Sequence, residues 1–184
     1  QQVCQRVSAM RTPPPGIDQM SASRHPDWSG HDDPAIKINE LREATAWKVP
    51  IYVKGGATRV SHDVKLACHA GADVVVVDGM GGGTAATQEV FMEHAGIPTL
   101  PAVRQASDAL REIDMDGKVQ LVISGGIRSG ADVAKALALG ADAVSIGMGA
   151  LVALGCNSAR IMMDGAEYDV TDDYARIGTK PGYC

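Results

Sequence analysis

Residues 119–130 (VQLVISGGIRSG), with the helix and strand that follow them, constrain this chain more than any other stretch. A short apolar run rich in β-branched residues, stopped by Gly125-Gly126, reads as a buried strand ending in a tight loop. Residues 131–139 (ADVAKALAL) are strong helix formers, and Gly140 stands where a C′ glycine belongs. Residues 141–146 read as a second strand, ending at Gly147. Two parallel strand ends, each followed by glycine, would set backbone N–H groups side by side. Barrel enzymes hold phosphate in this way, between the loops after their last two strands. A Cβ at those positions would keep the backbone away from the phosphate oxygens. The competing reading is a plain βαβ unit whose glycines serve only its turns.

The same unit recurs upstream. Residues 71–79 (GADVVVVDG) are a near copy of residues 140–147 (GADAVSIG), as expected where one β/α unit repeats around a barrel. The almost pure valine run at 73–77 reads as a strand buried on both faces. It leads into Asp78-Gly79-Met80-Gly81-Gly82-Gly83-Thr84, a loop whose glycines imply close approach to another group. Residues 1–11 read as the tail of an amphipathic helix, broken by Pro13-Pro14-Pro15-Gly16. Residues 17–21 (IDQMS) read as a short strand running into a polar loop with Arg24, His25, Asp27, Trp28 and His31. Loops after barrel strands carry function, so these side chains are candidates, although a lone loop histidine is commonly just solvated.

Asp33-Pro34 then opens a helix, with Asp33 as N-cap and Ile36, Leu41, Ala44 and Trp47 as its apolar side. Residues 50–54 (PIYVK) form the next strand, stopped by Gly55-Gly56. Lys54 at its end would point into a barrel mouth and hold an anionic substrate or a flavin edge, unless it only snorkels outward. Ser61 is expected to cap a helix ending near Ala70-Gly71. Helices are also expected over 85–95 and after Pro101, while the pattern frays beyond Leu154.

Five strands result: 17–21, 51–54, 73–77, 119–123 and 143–146. A closed (β/α)8 barrel needs eight strands and about 250 residues. The expected fold is therefore α/β, the C-terminal part of a (β/α)8 TIM barrel, about strands four to eight. The expected division is a barrel portion over 1–155 and an irregular extension over 156–184. A net charge of −5 without a basic patch argues against nucleic acid, and no apolar run approaches the roughly 20 residues of a membrane span. Cys4, Cys68, Cys156 and Cys184 are far apart with no CxxC pair, which suggests a reducing, cytoplasmic setting. The first residues, Gln1-Gln2-Val3, lack an initiator methionine and suggest that the natural chain starts earlier.

From Gly16 to Cys156 the chain resembles the FMN-binding synthase domain of glutamate synthases, in the branch that includes N-methylglutamate synthase and archaeal-type glutamate synthase. Residues 16–21 (GIDQMS) followed by His25 and Asp27 match the family's strand and His/Asp loop, and Lys54 matches the lysine at the next strand end. Residues 79–87 (GMGGGTAAT) match its Gly-rich loop, while Gly125-Gly126 and Gly147-Met148 match its flavin phosphate loops. The 125–147 text alone also resembles inosine-monophosphate dehydrogenases; the combination with ASRHPDW and DGMGGGTAAT makes the match specific.

The resemblance implies FMN as cofactor, bound by Ser21, Lys54, Gly79, Gly82, Gly83, Thr84, Ser124, Gly125, Gly126, Gly147 and Met148. It implies reductive amination of 2-oxoglutarate by reduced flavin, with Lys54, His25 and Asp27 holding the dicarboxylate or handling protons. Methylamine in place of ammonia would give N-methylglutamate instead. Ammonia would come from a separate glutaminase, and electrons from a donor subunit or domain, within a hetero- or homo-oligomer. Family members with a [3Fe-4S] cluster carry three closely spaced cysteines after the last strand. Here Cys156 matches the first, Ile161 follows five residues on, and the next cysteine is Cys184. Cys156 and Cys184 are thus candidate ligands of a cluster completed beyond this chain. Two alternatives stay open: an inosine-monophosphate-dehydrogenase-like barrel with Cys68 as nucleophile, and a non-catalytic half-barrel serving assembly.

Overall fold

The computed structural model describes residues 8–9, 12–18, 20–81, 87–153, 161–163 and 166–168. They belong to two compact units, one of residues 22–83 and 89–149, the other of residues 1–21, 84–88 and 150–184. In the first unit, helix α1 (Asp33–Ala44) precedes strand β1 (Tyr52–Gly56), helix α2 (Val60–His69) and strand β2 (Val74–Asp78). Helices α3 (Glu89–His94) and α4 (Thr99–Glu112) lead to strand β3 (Gln120–Ser124), helix α5 (Gly130–Ala138) and strand β4 (Ala143–Ser145). Helix α6 (Met148–Ala153) follows, with Ala150 onward counted in the other unit.

The four strands form one parallel sheet in the order β1-β2-β3-β4. A doubly wound sheet reverses its strand order at a switch point, whereas a barrel adds each strand beside the last. The sequential order identifies this unit as part of a (β/α)8 barrel. Helices α2, α4 and α5 cover one face. Val60 and Val64 of α2, Val103, Ala106 and Leu110 of α4 and Ala136 of α5 join Val75, Val77, Leu121 and Ile123 in one buried cluster. Val53 and Val144 pack against the same cluster from the two outer strands. Strand side chains alternate, so Lys54, Val76, Asp78 and Ser124 belong to the opposite face, where Val76 is also buried. Valine runs are favoured where a strand is covered on both sides, which accounts for β2.

The repeated Gly-Ala-Asp triplet does the same work twice. Gly71 and Gly140 end their helices with φ of 96° and 113°. The next aspartate then turns back to the preceding strand: Asp73 Oδ2 accepts Ile51 N at 2.7 Å, and Asp142 Oδ2 accepts Leu121 N at 2.7 Å. Main-chain bonds reinforce each clasp, from Asp73 N to Ile51 O and from Asp142 N to Leu121 O. Arg42 braces the first clasp by donating to Asp73 Oδ1 at 3.0 Å and to Gly71 O at 2.7 Å.

Several expectations need correction. Among the described residues of 17–21 no strand forms: Ile17 lies in a bend, Asp18 is a single bridge position, and Met20 and Ser21 are irregular. Ile17 and Met20 are 47% and 63% exposed, so the segment lacks the burial that would hold it in a ladder. Among the described residues β1 is an outer strand of the sheet. Asp33 does not cap α1; its carboxylate accepts the amides of Ser29 and Gly30 at 2.6 Å, which lowers its pKa. The buried side of α1 is Pro34 and Ile38, and Ile36, Leu41, Ala44 and Trp47 are exposed. Ser61 lies inside the first turn of α2, whose N-cap is Arg59. Pro101 lies within the first turn of α4, because proline needs no amide partner there. In the second unit, the tail expected to be irregular contains an antiparallel pair, β5 (Ile161–Met163) with β6 (Ala166–Tyr168). In the sequence, Asp164-Gly165 is a hairpin signal. The expected helix over 1–11 lies mostly outside the described residues.

Candidate functional site

The register sets Gly56, Asp78, Ser124 and Ser145 in one row across the C-terminal ends of the strands. In barrels this edge carries the chemistry. Lys54, one pleat below the row, reaches across to Asp78, with Nζ 2.6 Å from Oδ2. The lysine is 58% exposed and the aspartate 23%, so the cation keeps access to solvent while its partner is held by the strand. The other oxygen, Asp78 Oδ1, is buried and among the described residues has no hydrogen-bond partner. A Cβ at Gly125 would lie 2.6 Å from that oxygen. The cation, its carboxylate and the glycine loop after β3 are therefore contiguous.

Gly125 and Gly126 both adopt positive φ, 93° and 74°. Gly126 and Gly147 are exposed, a Cβ on either would meet no atom within 4 Å, and among the described residues neither amide has an acceptor. The two loops lie together: a Cβ at Gly149, in the first turn of α6, would lie 3.2 Å from Ile127 O and 3.6 Å from Arg128 Cα. Beside them a cavity of about 370 Å³ is lined by Gly81, Thr99, Gly125, Gly126, Ile127 and Asp132, with apolar walls from Met80, Pro98, Leu100 and Pro101.

The first turn of α5 is already satisfied by its own side chains. Ser129 and Asp132 form a capping box, and Asp132 Oδ2 accepts Arg128 N at 3.1 Å and Ser129 N at 3.0 Å. The Arg128 amide, then the Ser129 hydroxyl, hold the Asp132 carboxyl below the usual carboxylate range. An anion at this edge would therefore rely on the glycine-loop amides. Ser124 is buried, and its carbonyl accepts Gly79 N at 2.9 Å. The space beside Gly79 is filled by Thr99, whose Cα would lie 2.7 Å from a Cβ there.

His25 and Asp27 come together in the loop before α1, with Nδ1 and Oδ1 4.0 Å apart. His25 stacks on Trp28 at 4.3 Å between ring centroids, and Asp27 lies 3.6 Å from Lys37 Nζ on α1. Their ion pairs are with each other and with Lys37, while Lys54 pairs with Asp78. Met148 is exposed, and Ser21 is half-buried in the other unit. Gly82, Gly83, Thr84, Cys156 and Cys184 lie outside the described residues. Among the described residues no group of three or more His, Cys, Asp or Glu side chains could hold a metal, and no helix is long and apolar enough to cross a membrane. Cys68 is buried and unpaired in α2, and burial raises its pKa, which suits a packing residue better than a nucleophile.

Asp78 and Thr99 were not among the expected site residues. Asp78 follows a buried valine run and was legible as a strand-end carboxylate, but its pairing with Lys54 depends on register. Thr99 carried no signal, because helix α4 brings it to the glycine loop from outside the motif.

Residues 1–165 match the family described as "Conserved region in glutamate synthase". A glutamate synthase large subunit-like protein of Rhizobium meliloti is 58% identical over 182 residues, covering 99% of this chain and 39% of that protein. The archaeal glutamate synthase [NADPH] of Methanocaldococcus jannaschii is 43% identical over 157 residues, covering 85% of this chain and 31% of that protein. The chain thus spans between about a third and two fifths of these relatives. Among solved structures, a mutant flavocytochrome b2 with pyruvate bound superposes with a TM-score of 0.50 and 28% identity, covering 66% of this chain and 27% of that one.

Proposed function

Because this chain belongs to the glutamate synthase family, we propose that it supplies the phosphate-side wall of an FMN-dependent oxidoreductase that converts 2-oxoglutarate and an amine to glutamate or N-methylglutamate. The observation that carries this reading is the pair of adjacent glycine loops with open amides at Gly126 and Gly147. They fit a phosphate because a Cβ at either position would occupy the space its oxygens need. When bound, FMN supplies the hydride that reduces an imine.

The chain's own residues bind and orient. Gly126 and Gly147, with Met148 beside them, offer main-chain donors to the phosphate. Lys54, steadied by Asp78, presents a cation at the strand ends for a substrate carboxylate or the flavin edge. His25, backed by Asp27, would take or give a proton once substrate reaches its loop. The amine and the electrons would come from glutaminase and donor subunits or domains.

The test is ligand discrimination followed by turnover. The purified protein should bind FMN more tightly than riboflavin. With a chemically reduced donor, 2-oxoglutarate and ammonium or methylamine, it should form the corresponding glutamate. Equal affinity for FMN and riboflavin would refute the phosphate cradle.

A further inference from the structure

We propose that Thr99 is the positioning residue of the phosphate cradle, fixing the direction in which the Gly126 amide points; this inference rests on the FMN reading above. Thr99 is the first residue of α4, and its hydroxyl donates to the Gly125 carbonyl at 2.5 Å. The Gly125–Gly126 peptide is trans, and in a planar trans peptide the carbonyl and the following N–H point in opposite directions. Anchoring the Gly125 carbonyl on Thr99 therefore turns the Gly126 N–H away from Thr99, where among the described residues it meets no acceptor.

The anchor is rigid for three reasons. Threonine is stiff at χ1. The helix behind it is held by Ala102, Val103 and Ala106, all fully buried. The side chain also stands in a gap that exists only because residue 79 is glycine. Without the hydroxyl, a peptide flanked by two glycines of positive φ would rotate with little steric resistance. The cradle would then present its amide in several directions instead of one.

The experiment compares FMN and riboflavin affinities of the wild type, Thr99→Val and Thr99→Ser, with unfolding curves as a control. Valine keeps the volume and loses the donor; serine keeps the donor. Thr99→Val should weaken FMN binding about five- to tenfold, the worth of one neutral hydrogen bond, and leave riboflavin unchanged. Thr99→Ser should retain the wild-type preference. If the valine variant does not fold, Thr99→Ala against Thr99→Ser carries the same comparison. Equal loss of both ligands, or no loss of FMN, would overturn the role of Thr99. A wild type that does not distinguish FMN from riboflavin would instead overturn the phosphate reading beneath it.

Discussion

Replacing Gly125 and Gly126 one at a time with alanine should separate what holds the fold from what holds the ligand. Both residues have positive φ, and an L-residue there costs about 1–2 kcal/mol. At Gly126 that is the whole cost, since nothing lies within 4 Å of the new methyl. At Gly125 the methyl would also lie 2.6 Å from Asp78 Oδ1, 2.8 Å from Gly79 O and 3.0 Å from Gly79 N. These atoms cannot easily yield. Gly79 N is bonded to Ser124 O at 2.9 Å, and Asp78 O accepts Ala57 N at 2.7 Å. Such overpacking adds about 1–3 kcal/mol, so Gly125→Ala should lose about 2–5 kcal/mol against about 1–2 for Gly126→Ala. The Tm gap between the variants, measured without ligand, should be on the order of 2–12 °C. Ligand titration should rank them the other way: Gly126→Ala loses FMN at least about tenfold, the worth of one charge-assisted hydrogen bond, while keeping riboflavin. Equal stability of the two variants would refute the contact with Asp78 and Gly79. Full FMN affinity in Gly126→Ala would refute the cradle.

Lys54→Met keeps the stem and removes the cation, and should lower kcat/KM for 2-oxoglutarate about ten- to a hundredfold, the worth of one charged hydrogen bond; an unchanged value would leave Lys54 as a surface residue. Asp78→Asn should cost at most about 1 kcal/mol of stability, because the pair is half open to water, and a larger loss in urea unfolding would show that the buried oxygen has a structural partner. The Arg42 hydrogen bond, then the Ile51 amide, lower the pKa of Asp73. With the folded value below the unfolded one, its stabilisation is complete above about pH 4 and is lost as pH falls through the folded value. Asp73→Asn should therefore flatten the acid limb of the stability profile, and an unaltered slope would contradict the clasp. Cys68→Ala should cost about 1 kcal/mol and leave turnover intact, whereas loss of activity in a folded variant would revive the nucleophile reading.

The parallel sheet was legible because its signals are local: a valine run at 74–77, and glycines after both 124 and 146. The repeat was legible as text, but the purpose of its aspartates was not. A side chain reaching back to an amide about twenty residues earlier leaves no periodic trace. Residues 17–21 misled because a short segment with apolar Ile17 and Met20 after a proline-glycine break resembles a strand whether or not anything covers it. The apolar side of α1 misled similarly, since Pro34 and Ile38 with the Arg42 brace suffice to dock it. At the site, Lys54 and the glycine loops could be anticipated from type and position. Asp78 and Thr99 could not, because each matters through a partner that only strand register or helix placement supplies.

The two aspartate clasps have a reach longer than their size. Each closes a stretch of about twenty residues, from Asp73 to Ile51 and from Asp142 to Leu121, so the β1–β2 and β3–β4 pairs each carry an alignment mark at their entry. A slip of one residue would break the mark and turn every side chain of the strand to the other side. Lys54 would then face the helices, and a valine would stand in the row that meets the ligand. Fidelity at the chemical rim is thus enforced from the opposite end of the sheet, by residues that touch no ligand. A screen for lost activity would find Asp73 and Asp142 and could mistake them for part of the reaction.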